Sequence, residues 1–379
     1  MKKIKPILVI IIILLISVLY YFLTQNNNDK SVDEIKIDFN GYNIETVVGE
    51  LERPWDVKLD NSSNIFFTQR QSGLYKYSDE VKEIYIPEDL YNPGEGGMLG
   101  FDLAPDFETT KEIYVCFNSG SVLGGVNVYV SRLTLDDNLD NVIDREDLIT
   151  DIPSAISGRH SGCRVLFDRN DENIIWVTTG DSANENTPQN PQSLGGKVLR
   201  IDREGNGVDG NLEEPFDNRI FSYGHRNVQG ITLFPEYDEN YGYGLTAEHG
   251  PSIDDEINRL INGNYGWAPG NNYNESVPMT DLEKYPEAIE SLWSSGDRTI
   301  AACGIEYVDS GIWEGDVLLA ALKDSYILRY SFEGDKLVKQ EEIINDYGRI
   351  RQVYASKDGR IFFTTDNGSQ DIIGEIVFK

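Results

Sequence analysis

Asn64-Ile-Phe-Phe-Thr-Gln-Arg70 and Arg360-Ile-Phe-Phe-Thr-Thr-Asp366 are near copies of one another, and their reading decides the fold. Each follows a polar turn, and each leads through a polar loop to a second short strand, Leu74-Tyr-Lys-Tyr77 in one case and Glu375-Ile-Val-Phe378 in the other. The plan recurs where Ile174–Thr179 leads to Lys197–Ile201, Val317–Ala321 to Tyr326–Tyr330, and Glu112–Phe117 to Asn127–Ser131, with a further unit around Leu245. Six units, β-branched and aromatic at strand positions and punctuated by Gly and Asp, point to all-β repetition. Radial repetition leaves only short, protected sheet edges, so the expectation is a six-bladed β-propeller. The Asn43–Val48 strand is expected to complete the blade that holds the C-terminus and to close the ring. A sandwich would show more uniform strand spacing and shorter insertions.

The 379 residues carry 40% hydrophobic and 11% aromatic residues, enough for a large core. The net charge of −31 excludes a backbone-reading nucleic-acid binder and suits a solvated acidic surface. Residues 1–28 stand apart. Lys2, Lys3 and Lys5 precede an apolar run of about 17 residues, Ile7 to Leu23, without a small-residue cleavage site or a lipid-bearing cysteine. This segment reads as an N-terminal hydrophobic helix, an uncleaved membrane anchor or a signal segment, with the remainder outside the cytoplasm. Residues 29–42 then form a polar tether and 43–379 the propeller. The three cysteines, Cys116, Cys163 and Cys303, exclude a disulfide framework but allow one bridge. Asp136–Asp144 has oxygen side chains at EF-hand-like spacing, but Asn141 stands at the glycine position and no helices flank it. An acidic hairpin turn is the simpler reading.

Gly224 to Trp267 is rich in polar groups that a plain propeller does not require. Arg226 and Asn227 offer fixed hydrogen-bond donors, and Gly250-Pro251 is a tight turn with carbonyls free to point outward. Such a mixture suits a polyanionic cofactor and a hard cation. Upstream lie Pro54-Trp55, Gly94-Glu-Gly-Gly-Met-Leu-Gly100 with Ala104-Pro-Asp-Phe107, and His160-Ser-Gly-Cys-Arg164; downstream lie Leu322-Lys323 and Arg349-Ile-Arg351. In this order the pieces resemble the soluble pyrroloquinoline quinone (PQQ) sugar dehydrogenases, the glucose/sorbosone dehydrogenase family, over residues 45 to 379.

The resemblance implies a PQQ- and calcium-dependent oxidoreductase that oxidises the anomeric hydroxyl of an aldose sugar to a lactone. Electrons would pass to an external acceptor, a quinone or a cytochrome. His160 would be the base, an imidazole being suited to proton transfer near neutral pH. Arg226 and Asn227 match the pair at the reactive quinone oxygens, where a guanidinium stabilises developing negative charge. Lys323, Arg349 and Arg351 match positions that hold the cofactor's carboxylates, and Thr299 and Ala301 those that line its plane. Glu95 stands where well-characterised members carry a glutamine, and Arg159 where they carry an acid, so sugar choice is open. Cys163 replaces a glycine. Gly250 and Pro251 match carbonyl ligands of the cofactor-bridging calcium; Asp255, Glu256 and Tyr265 resemble a second, structural calcium site.

No glycine-rich fingerprint opens a strand–helix unit, which argues against nicotinamide and flavin cofactors. A non-catalytic cell-surface binding propeller of the same fold remains an alternative, as does a calcium-dependent lactonase. The joint presence of His160, Arg226, Asn227, Lys323, Arg349 and Arg351 speaks against the first. The scarcity of a central carboxylate cage speaks against the second.

Overall fold

The computed structural model describes residues 41–334 and 336–379; the hydrophobic leader and the tether up to residue 40 lie outside them. Among the described residues no helix is long and apolar enough to cross a membrane. The strand β1 (Tyr42–Leu51) comes first, followed by the sheet β2 (Pro54–Leu59), β3 (Ile65–Gln69), β4 (Leu74–Tyr77) and β5 (Val81–Tyr85). The second sheet holds β6 (Met98–Leu103), β7 (Glu112–Ser121), β8 (Gly125–Leu135) and β9 (Val142–Pro153), with the single-turn α1 (Phe107–Thr110) between its first two strands. The third holds β10 (Gly162–Phe167), β11 (Ile174–Thr179), β12 (Lys197–Asp202) and β13 (Ile220–Tyr223). The fourth holds β14 (Val228–Asp238), β15 (Gly242–Glu248) and β16 (Glu256–Arg259). From the long insertion that follows, β17 (Gly263–Asn264) adds in parallel to the third sheet and β18 (Trp293–Ser294) to the fourth. The fifth sheet is β19 (Ala302–Tyr307), β20 (Val317–Ala321), β21 (Tyr326–Glu333) and β22 (Lys336–Ile343). The last is β23 (Ile350–Ala355), β24 (Ile361–Thr365) and β25 (Asp371–Phe378), with β1 as its outer strand.

Six sheets in chain order, antiparallel except for β17, are the expected six blades, and β1 beside β25 is the expected closure. Their first strands, β2, β6, β10, β14, β19 and β23, touch in succession and back to β2, so they line the axis. The two near copies are the second strands β3 and β24, in matching register: Phe67 faces Tyr75 and Phe363 faces Gly374. Gly374 is required there, because a Cβ would stand 2.4 Å from the Phe363 ring. Between the first two sheets Phe66, Phe101 and Phe117 are fully buried; between the second and third, Trp55, Tyr114 and Val165 are. Each such side chain contributes about 1.5–3 kcal/mol on burial. Within the large body, Ile44–Val377, this apolar packing between blades fixes where the strand ends lie.

Cys116 on β7 and Cys163 on β10 form a disulfide between adjacent blades, while Cys303 is free and buried. The cysteine that replaces a glycine beside His160 thus ties that segment to its neighbour. Asp136–Asn141 is a hairpin turn between β8 and β9: the Asp136 carboxylate accepts from Asp140 N (2.9 Å) and Asn141 Nδ2 (2.8 Å). Toward the other end of the inner strands, Lys58, Asp102, Glu306 and Tyr354 form a charged cluster, with Lys58 Nζ 4.0 Å from Asp102 and 5.1 Å from the Tyr354 ring centre. Burial pushes the Glu306 carboxyl up to about 8, with Lys58 opposing.

Candidate functional site

Antiparallel blades bring two kinds of residue to one end of the axis: those entering a first strand and those leaving a second strand. Glu95, His160, Arg226, Asn227, Thr299, Ala301 and Arg349 enter; Arg70, Asp181, His249, Leu322 and Asp366 leave. A cavity of about 170 Å³ opens there, walled by Trp55, Glu95, Gln229, His249, Ala301 and Leu322, with Arg53, Arg70, Arg349, Arg351 and Asp366 on the remaining side.

His160 is 3% exposed and its backbone sits at φ +56°, a conformation costly for a residue with a Cβ. Its amide donates to Glu95 Oε2 (3.0 Å), while Gly162 N donates to Asn227 Oδ1 (3.1 Å), and these bonds hold the turn. The ring Nδ1 lies 2.8 Å from Asp181 Oδ1 and 2.9 Å from the Tyr273 hydroxyl. An ionised carboxylate only accepts, so Nδ1 carries a proton and, in the neutral ring, Nε2 presents the lone pair. Asp181 also accepts from Trp267 Nε1 (2.8 Å), Tyr273 Oη (2.6 Å) and Ala183 N (2.8 Å). Behind it Lys197 is fully buried, donating to the Thr187, Pro188 and Gly195 carbonyls at 2.7, 3.0 and 2.7 Å. The Thr187 hydroxyl in turn donates to Asp181 O (2.7 Å), so the lysine secures the loop that delivers the carboxylate. Burial pulls that ammonium down to about 7.

Arg226, 4% exposed, is fixed on three sides. Its Nε and Nη2 donate to Glu275 Oε1 (3.0 and 2.6 Å) and its Nη1 to His249 O (2.8 Å). Glu275 also pairs with Arg159 at 2.5 Å. Burial opposes ionisation of Glu275, but Arg226 and Arg159 overcome it and hold the carboxyl below its ordinary range. Asn227 Nδ2 reaches Glu95 Oε2 at 3.4 Å, joining the arginine's neighbour to the histidine turn. Tyr273 and Glu275 come from one tight turn in the blade-four insertion, closed by paired Gly270–Asn274 backbone bonds of 2.9 and 3.0 Å.

The cavity's lining is rich in arginine. Arg351 is buried, bonded through Nε to Asp366 (3.0 Å) and through Nη1 to Gln229 Oε1 (3.0 Å). Arg53 reaches Asp366 at 3.2 Å, and Arg349 Nε bonds the Asp366 carbonyl at 3.1 Å. Buried nitrogens without a hydrogen-bond partner, Arg53 Nε, Arg70 Nε and His249 Nε2, stand around this cavity. Burial and the surrounding arginines Arg351 and Arg226 keep His249 neutral, well below the usual histidine range. Buried donors without acceptors beside surplus positive charge are what an anionic, oxygen-rich group would satisfy. Lys323 is exposed and is not among the cavity's lining residues, which include its neighbour Leu322.

The oxygen-rich turn lies beside this lining. Asp255 accepts from Gly250 N (2.8 Å), Thr299 Oγ1 (2.9 Å) and Ile300 N (2.7 Å), so it braces the Gly250-Pro251 turn and the entry to β19 together. Among the described residues no donor bonds the Gly250 or Pro251 carbonyls. The Tyr265 hydroxyl bonds backbone carbonyls Arg259 O and Ile261 O, away from the Asp255 set. Glu256 faces Glu248 across β15 and β16, and burial with that like charge raises its carboxyl. Among the described residues no three His, Cys, Asp or Glu side chains gather as a metal cage.

Sequence reading missed Arg53, Arg70, Asp181, His249, Tyr273 and Glu275. Arg70 was legible in principle, because it ends the repeat whose copy ends in Asp366. Tyr273 and Glu275 lie in an insertion outside any repeat.

The chain matches the Glucose / Sorbosone dehydrogenase family over residues 51–374. It is 28% identical to Aldose sugar dehydrogenase YliI of Escherichia coli (strain K12) over 87% of this chain and 92% of that one. It is 25% identical to Quinoprotein glucose dehydrogenase B of Acinetobacter calcoaceticus over 77% of this chain and 66% of that one. Among solved structures, the soluble aldose sugar dehydrogenase of Escherichia coli in its apo-form superposes with a TM-score of 0.78, covering 89% of this chain and 100% of that chain at 26% identity. With most of its length inside that match and its blades arranged alike, this chain belongs to the glucose/sorbosone dehydrogenase family of sugar dehydrogenases.

Proposed function

We propose that this chain oxidises the anomeric hydroxyl of an aldose to a lactone, using PQQ and calcium. The observation that carries the reading is that His160, held at Nδ1 by Asp181, and Arg226 enter their inner strands at the same end of the ring as an arginine-lined cavity in which Arg53 Nε, Arg70 Nε and His249 Nε2 are buried without a partner. PQQ, when bound, would supply the hydride acceptor. Arg349 and Arg351 would hold its carboxylates, Thr299 and Ala301 would line its plane, and Arg226 with Asn227 would face its reactive oxygens. The Gly250 and Pro251 carbonyls would contribute ligands to calcium, a hard ion that takes oxygen donors.

His160 would accept the hydroxyl proton at Nε2, and the imidazolium so formed would be stabilised by Asp181. Glu95 holds the histidine turn and Asn227 at once, and Arg159 pairs with Glu275 over the Tyr273 ring, so these two residues would shape the sugar subsite. An external quinone or cytochrome would take the electrons. The hydrophobic leader would carry the propeller out of the cytoplasm, anchored or released. Asp255, Glu256 and Tyr265 are the residues the resemblance assigns to a second calcium, with the Tyr265 hydroxyl turned to the Arg259 and Ile261 carbonyls and burial raising Glu256 toward its neutral form.

The experiment is turnover of His160→Ala loaded with PQQ and calcium, assayed with aldoses and an artificial acceptor. Loss of about 10²–10⁴-fold with cofactor affinity retained is expected. Undiminished turnover would remove the base and the mechanism with it.

A further inference from the structure

The two near copies that reveal the fold end in opposite charges, Arg70 after β3 and Asp366 after β24. Both ends border the same cavity. Asp366 has a clear task, since it binds Arg53 and Arg351. Arg70 has none: no carboxylate pairs with its guanidinium among the described residues, its Nε is buried without an acceptor, and the residue is only 7% exposed. The backbone that carries it is firmly placed. Arg70 N donates to Arg53 O (3.1 Å) and Arg70 O accepts from Met98 N (2.8 Å), so its backbone is held on both sides. Gly97 at φ +135° permits this approach; a Cβ there would lie 1.9 Å from Arg70 O. Three more guanidiniums, Arg53, Arg349 and Arg351, line the same space against only Asp366 and Glu95. Burial, and then Arg351, pull Arg70 down to about 10, which shows how poorly its charge is compensated by the protein alone.

We propose that Arg70 is a further cofactor-binding residue, its guanidinium reserved for a carboxylate of a bound polyanion in this cavity. This deepens the PQQ reading and rests on it. An unmatched buried cation destabilises the empty protein and is relieved when the anion arrives, so Arg70 trades stability for affinity. A purely structural arginine would do the reverse.

The test measures, for wild type, Arg70→Gln, Arg70→Lys and Arg349→Ala, the dissociation constant of PQQ by calorimetry with calcium present, and the melting temperature without PQQ. Arg70→Gln is expected to weaken PQQ binding about 10- to 100-fold while raising the melting temperature of the empty protein; Arg70→Lys restores part of the affinity. Equal affinity in Arg70→Gln, with Arg349→Ala impaired, would overturn the role of Arg70 and leave the PQQ reading standing. A lowered melting temperature of empty Arg70→Gln would make the residue structural and also overturn it. Absence of PQQ binding by the wild type would sink both.

Discussion

The hydroxyl of Tyr273 donates a 2.6 Å hydrogen bond to Asp181 Oδ2, on the carboxylate whose other oxygen holds His160. A phenol from the fourth-blade insertion thereby braces a dyad built by the third blade. Tyr273→Phe removes one charge-assisted bond and nothing of the ring. Its loss is expected to lower kcat about 10-fold, with PQQ affinity unchanged. An unaltered kcat would show that the phenol only fills space.

Asp181→Asn keeps the shape but turns an obligatory acceptor into a group that can also donate. The wrong imidazole tautomer becomes available, and kcat is expected to fall by about 10²–10⁴-fold. Stopped-flow reduction of the loaded enzyme by aldose measures this directly. A rate near wild type would mean that His160 takes its proton without help.

Glu275 clamps Arg226 and Arg159 together. Glu275→Gln leaves both guanidiniums less well held and less neutralised. The expected outcome is PQQ affinity equal to or tighter than wild type with kcat about 10-fold lower, a split that a general folding defect would not produce. Weaker PQQ binding at unchanged kcat would contradict the clamp.

Glu306 gives a pH dependence of stability. Its folded carboxyl titrates at about 8, and in the unfolded chain near 4.5. Between those values the native state holds a proton that the unfolded state has released, so stability from this group falls as pH rises from 4.5 to 8. Glu306→Gln is expected to raise the melting temperature, by little at pH 5 and by most at pH 8. The same change at every pH would place the glutamate in contact with solvent.

The fold was legible because propeller blades repeat, and repetition survives in strand pairs such as Ile65–Gln69 and Ile361–Thr365. The candidate site residues came instead from the family resemblance, and of these Glu95, His160, Arg226 and Ala301 each precede an inner strand. Asp181 and His249 were harder: each follows a second strand, and a single acid or imidazole there carries no periodic mark. Tyr273 and Glu275 act across about 100 residues of chain, from a turn whose sequence, Asn-Asn-Tyr-Asn-Glu, reads only as a loop. Lys323 was named by its match to a carboxylate-holding position, and in the structure it is exposed while Leu322 borders the cavity. Short polar segments fix position along the chain better than they fix which side chain turns inward.

The most direct measurement is the absorption spectrum of metal-stripped protein titrated with PQQ and calcium and then mixed with an aldose. One PQQ per chain should bind only with calcium present, and its spectrum should change to that of the reduced cofactor on adding sugar, with lactone as the product. Saturation without any spectral response to a panel of aldoses, or no binding at all, would contradict a sugar-oxidising site at the end of this ring.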